Sequence, residues 1–200
     1  MRKSHYISKL TSKDTDMLKA FSRVGYLSPN QLKGNLGIAD RRVTNFGRDG
    51  YIEKVPFMDK RSRNAVFAYR LTDKGKTLCS NQLQIESFYR SSSAIHDLAL
   101  ADKYFTVEKD LRDNWITESQ WRIRFEEYLN DLHNKDCDRW EELYEQLKEG
   151  LISPPDGGYV SREGIEIALE VVTSSYGETE LQSKENFVQT LEVEYDQIRV

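Results

Sequence analysis

Between Asp40 and Gly50 the chain sets Arg41, Arg42, Thr44, Asn45 and Arg48 within a single helix-length stretch. Arginine donates a bidentate pair to guanine, asparagine pairs with adenine, and a threonine hydroxyl or methyl can meet either base edge, so these types suit reading a DNA major groove. Lys60, Arg61 and Arg63 follow within four positions, as charges that reach backbone phosphates or a minor groove. Each phosphate so neutralised adds about 0.9 to the salt slope of binding. Other constellations fall short. His133 and Cys137 stand one helical turn apart without a second ligand pair, which reads as a solvated face. Gly157-Gly158 lacks the Lys-Ser/Thr of a phosphate loop, and the three histidines sit in contexts too unlike for a nucleophilic triad. His96 and Asp97 read as capping or core residues.

The elements that must hold the basic residues can be read from spacing. Met17, Leu18, Phe21 and Val24 recur at helical intervals after Thr11, and Gly25 closes that helix. Ser28-Pro29 with Gln31 is an N-cap signature for a short second helix through Leu32 and Leu36, ending at Gly37. A third helix is expected over Ala39–Asp49, where Val43 and Phe46 face inward and the arginines outward. Extended segments Tyr51–Phe57 and Ala65–Leu71 flank a polar turn, Met58–Asn64, and Thr72 starts another helix.

Helix, helix, helix, strand, basic turn, strand is the order of a winged helix-turn-helix. LGIADRRVTNFGRDGYIEK followed by YRLTDKGKTL resembles the second half of many bacterial winged-helix DNA-binding proteins, over roughly Thr11–Ser80. That resemblance implies double-stranded DNA as partner, with Arg41, Arg42, Thr44, Asn45 and Arg48 on the reading helix and Lys60, Arg61 and Arg63 on the wing.

Beyond residue 80, Leu100, Tyr104, Val107 and Leu111 form an apolar stripe, expected either to join two copies as a homodimer or to pack as core. A further helical region, Trp121–Glu149, is interrupted near Asn134–Asp138. Pro154–Val160 enters a strand, Gly164 turns, Ile165–Val172 is a strong β run, Glu178–Leu191 reads helical, and Ile198–Val200 begins or ends another strand. This layout is similar to a PD-(D/E)xK nuclease core. The likeness implies that Asp156 and Glu170 hold Mg²⁺ or Mn²⁺, with Glu118 as a third carboxylate. The lysine two places after the glutamate is absent, because Val172 stands there, and Lys184 on the next helix is the substitute.

Taken with the first module, His96-Asp97-Leu98-Ala99, Trp115 with Glu118, Pro155-Asp156-Gly157 and Leu169-Glu170-Val171 make the chain similar to the replication-relaxation family of bacterial and mobile-element proteins. The resemblance implies a DNA-binding protein in transcriptional control or in plasmid replication or transfer.

Composition agrees with two parts. Residues 1–80 hold 17 basic and 7 acidic residues, net +10, and residues 81–200 hold 12 and 26, net −14. The expected fold is α+β: a winged helix-turn-helix over 1–80, a helical linker or dimerisation helix over 81–113, and a small nuclease-like α/β domain over 114–200. Two cysteines at unrelated spacing fit a reducing cytoplasm. MRKSHYISKL lacks the apolar core of a secretory signal, and no run approaches the roughly 18 apolar residues of a membrane span. The leading expectation is a sequence-specific, dimeric DNA binder without catalytic activity or cofactor, whose acidic half docks a partner protein or sets the dimer. The alternatives are a metal-dependent nuclease or nickase using Asp156 and Glu170, and a protein-interaction adaptor that never touches DNA.

Overall fold

Thr11 begins the first helix by a reciprocal exchange. Its hydroxyl accepts from the Asp14 amide at 3.3 Å, and the Asp14 carboxylate accepts the Thr11 N–H at 2.7 Å. Helix α1 spans Ser12–Val24 in the computed structural model, which describes residues 5–58, 64–90 and 93–200. Gly25 ends it at φ +78°, where a Cβ would stand 2.4 Å from the Asp97 carboxylate. Ser28 and Gln31 repeat the exchange at the start of α2 (Pro29–Gly34), which is shorter than expected and leaves Leu36 outside. Helix α3 (Asp40–Arg48) buries Val43 and Phe46 and exposes its other side.

Strands β1 (Ile52–Met58) and β2 (Ala65–Leu71) pair antiparallel, from Ile52 opposite Leu71 to Met58 opposite Ala65. Leu27 exchanges two backbone bonds with Tyr69, at 3.0 and 2.8 Å, and so ties the α1–α2 connection to the hairpin. Helix α4 (Asp73–Leu83) starts at Thr72. Its first turn clasps the end of α3: the Thr72 hydroxyl donates to the Gly50 carbonyl at 2.6 Å and Lys74 Nζ to the Asp49 carbonyl at 2.5 Å. The two short motifs DGY and LTDKG, more than twenty positions apart, therefore meet in space.

The chain divides into two compact units, Met1–Thr106 and Val107–Val200. The division falls inside the segment expected as an 81–113 linker. Helix α5 (Ala94–Thr106) belongs to the first unit, where it packs on α1 with Leu100 and Tyr104 buried. Gln31 Nε2 of α2 donates to the Leu98 carbonyl at 3.1 Å and to Asp102 at 2.6 Å. Of the apolar stripe offered for dimerisation, Leu100 and Tyr104 are thus buried within the first unit, while Val107 and Leu111 belong to the second.

In the second unit a 3-10 turn (Leu111–Asn114) leads into the two-residue strand β3 (Ile116–Thr117), then α6 (Glu118–His133) and α7 (Cys137–Lys148). Strands β4 (Gly157–Val160) and β5 (Glu166–Val172), helix α8 (Glu178–Leu191) and strand β6 (Glu194–Arg199) complete it. The sheet order is β3-β4-β5-β6. The first two pairings are antiparallel and the last is parallel, with α8 as the crossover that parallel neighbours require. Trp121, Phe125, Leu129, Leu143 and Phe187 fill the core, with Phe125 and Phe187 stacked at 5.0 Å. Gly157 and Gly158 exist for close approach: a Cβ on Gly158 would lie 2.5 Å from the Ile167 carbonyl and 2.7 Å from the Trp121 ring. Trp121 Nε1 donates to the Gly157 carbonyl at 2.9 Å.

The described residues thus form an α+β protein with eight α-helices and two small sheets. No helix among them is long and apolar enough to cross a membrane.

Candidate functional site

At 3.6 residues per turn each residue of α3 is rotated about 100° from the last, so Arg41, Thr44, Asn45 and Arg48 fall within one stripe about 100° wide. Arg41, Thr44 and Arg48 are exposed and Asn45 is half-buried. Thr44 returns its hydroxyl proton to the Asp40 carbonyl at 2.9 Å, and the Arg48 guanidinium lies 5.5 Å from the Tyr6 ring centre. The stripe therefore presents two guanidiniums, an amide and a threonine side chain to solvent on the outer side of a buried helix.

Arg42 does not belong to it. Its Nε and Nη2 bind the Asp14 carboxylate at 3.0 and 2.7 Å, and Nη2 also donates to the Lys9 carbonyl at 2.8 Å. Asp14 is 1% exposed. Burial alone would raise its pKa, yet the bonds from Arg42 and Thr11 hold it below the ordinary carboxylate value, and the pairing raises Arg42 in turn. Arg42 is turned toward Asp14 and the N-terminal segment, away from the outward stripe with which the sequence grouped it. Lys60, Arg61 and Arg63 lie outside the described residues. The strands that bracket them end at Met58 and Ala65, which are paired.

The arrangement also uses residues the sequence did not single out. Asp49, the C-cap of α3, accepts the amides of Tyr6 at 3.1 Å and Ile7 at 2.7 Å. Those bonds, with the charges of His5 and Lys74, keep its carboxyl below the usual range although burial works the other way. One signal was available. A carboxylate at the negative end of a helix is electrostatically misplaced unless donors outside the helix meet it.

In the second unit the structure brings Asp156, Glu170 and Lys184 together. The Asp156 amide donates to Glu170 Oε2 at 3.1 Å, and the Val171 amide, next to Glu170, donates to Asp156 Oδ2 at 2.8 Å. Lys184 Nζ lies 3.3 Å from Glu170 Oε1 and donates to the Pro154 carbonyl at 2.6 Å. The Tyr176 hydroxyl, unforeseen, donates to the same Oε1 at 2.7 Å. Glu170 is 0% exposed, on an inner strand of the sheet. Burial, then the charge of Asp156, push its carboxyl up to about 7 against the pull of Lys184 and Tyr176. Burial and Glu170 likewise raise the phenols of Tyr176 and Tyr195.

Glu118 begins α6, directly after the Thr117–Gly157 pair, and its carboxylate accepts from Arg122 at 3.2 Å. A divalent cation takes carboxylate lone pairs. Glu170 already receives three donors on its two oxygens and is closed to solvent, so this arrangement does not fit a resident Mg²⁺ or Mn²⁺. Among the described residues no group of three or more His, Cys, Asp or Glu side chains is arranged to hold a metal ion. The pair works instead as a reciprocal latch between the entry to β4 and strand β5.

Comparison with protein-family models, with curated proteins and with solved structures finds no match for this chain.

Proposed function

We propose that the chain is a sequence-specific double-stranded DNA-binding protein whose first unit is a winged helix-turn-helix. The observation that carries the reading is the exposed stripe of Arg41, Thr44, Asn45 and Arg48 on α3. Three helices precede an antiparallel hairpin whose connecting segment carries Lys60, Arg61 and Arg63 in sequence. The +10 balance of residues 1–80 supplies the long-range attraction to a polyanion. In this reading Asn45 and the two arginines meet base edges, while the wing lysine and arginines meet phosphates. The likeness to the replication-relaxation family extends the proposal to a role in transcriptional control or in plasmid replication or transfer, in a bacterium or mobile element. The reading does not rest on a homodimer, because α5 is packed within its own unit.

The second unit is proposed as a nuclease-like platform that has given its carboxylates to structure. Metal-dependent nicking is the second reading: Lys184 stands beside Glu170 as a migrated lysine would, and a cation would enter only if Glu170 were released from its three donors.

One gel separates them. Purified protein is titrated onto supercoiled plasmid in EDTA, Mg²⁺ or Mn²⁺ at low and moderate salt. Retardation in every lane, weakening with salt and without nicking, is the expected result. Metal-dependent open circles that vanish in Asp156→Ala would establish the nickase. Absence of any shift, on plasmid and on a random duplex pool alike, would overturn DNA binding and favour the adaptor.

A further inference from the structure

The N-terminal segment His5–Lys9 has no regular structure of its own, yet it is fastened to α3 at both ends. Asp49 grips the amides of Tyr6 and Ile7, and Arg42 grips the carbonyl of Lys9. Ile7 is buried at 8% exposure, which anchors the middle of the segment. By helical rotation the stripe of Asp49 and Arg42 lies about 90–110° from the centre of the Arg41–Thr44–Asn45–Arg48 stripe, on the side away from Asp40. The segment therefore runs along one flank of the reading face. It turns outward the side chains of His5, Tyr6 and Lys9, all exposed, with the Tyr6 ring reaching the Arg48 guanidinium.

A helix lying in a major groove about 12 Å wide has a sugar-phosphate strand on each flank. We infer that His5–Lys9 is a built contact to one of those strands, with the Lys9 ammonium meeting a phosphodiester and Tyr6 steadying Arg48 beside it. The inference rests on the proposed DNA binding and adds a second element to it. The phosphate contact is independent of base sequence, so it sets affinity and the register of α3.

The test is fluorescence anisotropy on a duplex selected by the wild-type protein and on an unrelated duplex, over a series of KCl concentrations. Lys9→Ala keeps the backbone carbonyl that Arg42 holds, so the fold is retained, as a circular dichroism melt checks. The expected result is a salt slope smaller by about 0.9 and an affinity several-fold lower on both duplexes alike, with Lys9→Arg restoring both. Lys9→Ala with wild-type slope and affinity, while Arg48→Ala weakens binding, would overturn this contact and leave the DNA reading intact. A wild-type protein that binds no duplex would overturn both.

Discussion

The guanidinium of Arg42 and the carboxylate of Asp14 meet through two nitrogens at 3.0 and 2.7 Å, with the aspartate 1% exposed and the arginine side chain 27% exposed. The pair joins α3 to the first turn of α1, where Asp14 also closes the capping exchange with Thr11. Removing Arg42 strands a buried charge, a change that commonly costs about 3–5 kcal/mol and less where the partner is partly solvated. Arg42→Ala is expected to lower the stability of the first unit by about 2–3 kcal/mol in urea denaturation followed by far-UV circular dichroism. A loss below about 0.5 kcal/mol, the size of an ordinary surface substitution, would show that the pair is not structural.

Arg41 and Arg48 should behave in the opposite way. Both are exposed on α3, and among the described residues neither is paired with a buried acid as Arg42 is with Asp14. Each alanine variant is expected to leave stability within about 0.5 kcal/mol of wild type while weakening a selected duplex by about 1–3 kcal/mol. A contact to a base edge also relaxes preference at one base pair, whereas a phosphate contact weakens all sequences equally. Competition with single-base variants of the selected duplex reads that difference.

Arg41 and Arg42 show how far the sequence could be read. Helical spacing alone establishes α3 and its inward Val43 and Phe46, but neighbouring arginines differ by about 100° of rotation. The acid that claims one of them lies 28 positions away. Caps were legible because Thr11, Ser28 and Gly25 act within three or four residues of themselves. Helix α8 was legible to its last residue, Glu178–Leu191, whereas β3, two residues long, left no pattern. Leu100 and Tyr104 announced a buried face of α5 without saying against what, and the element it packs on is α1. The grip of Asp49 on Tyr6 and Ile7 spans more than forty positions and carries no local mark beyond the misplaced charge.

Two glycines of the first unit carry opposite expectations. A Cβ on Gly75, in the first turn of α4, would stand 2.0 Å from the Tyr51 carbonyl, a backbone atom that cannot swing aside. Gly75→Ala must therefore part the clasp between α4 and the turn before β1. A Cβ on Gly34, at the end of α2, meets nothing within 4 Å, and its backbone has no positive φ. Gly34→Ala is expected to raise stability by about 0.4–1 kcal/mol by reducing the freedom of the unfolded chain. Thermal melts should rank Gly34→Ala above wild type and Gly75→Ala well below it. The reverse order would mean that the clasp bears no load.

The last expectation concerns the buried carboxyl of Glu170, raised from 4.5 to about 7 by burial first and by Asp156 second. Between those two values the folded protein holds a proton that the unfolded chain has released. Stability must then fall as pH rises. The contribution is fully present below about pH 4.5, is lost progressively up to about pH 7, and is flat beyond. The three tryptophans, Trp115, Trp121 and Trp140, all lie in the second unit, so their fluorescence follows its unfolding. Urea midpoints read this way should decline from pH 5 to pH 7, by an amount equivalent to a few kcal/mol. Glu170→Gln carries the uncharged form at every pH, so its midpoints should lack that decline. Equal slopes in the two proteins, or a wild-type midpoint that rises over the same range, would mean that Glu170 is charged in the folded state throughout and that Lys184 outweighs burial.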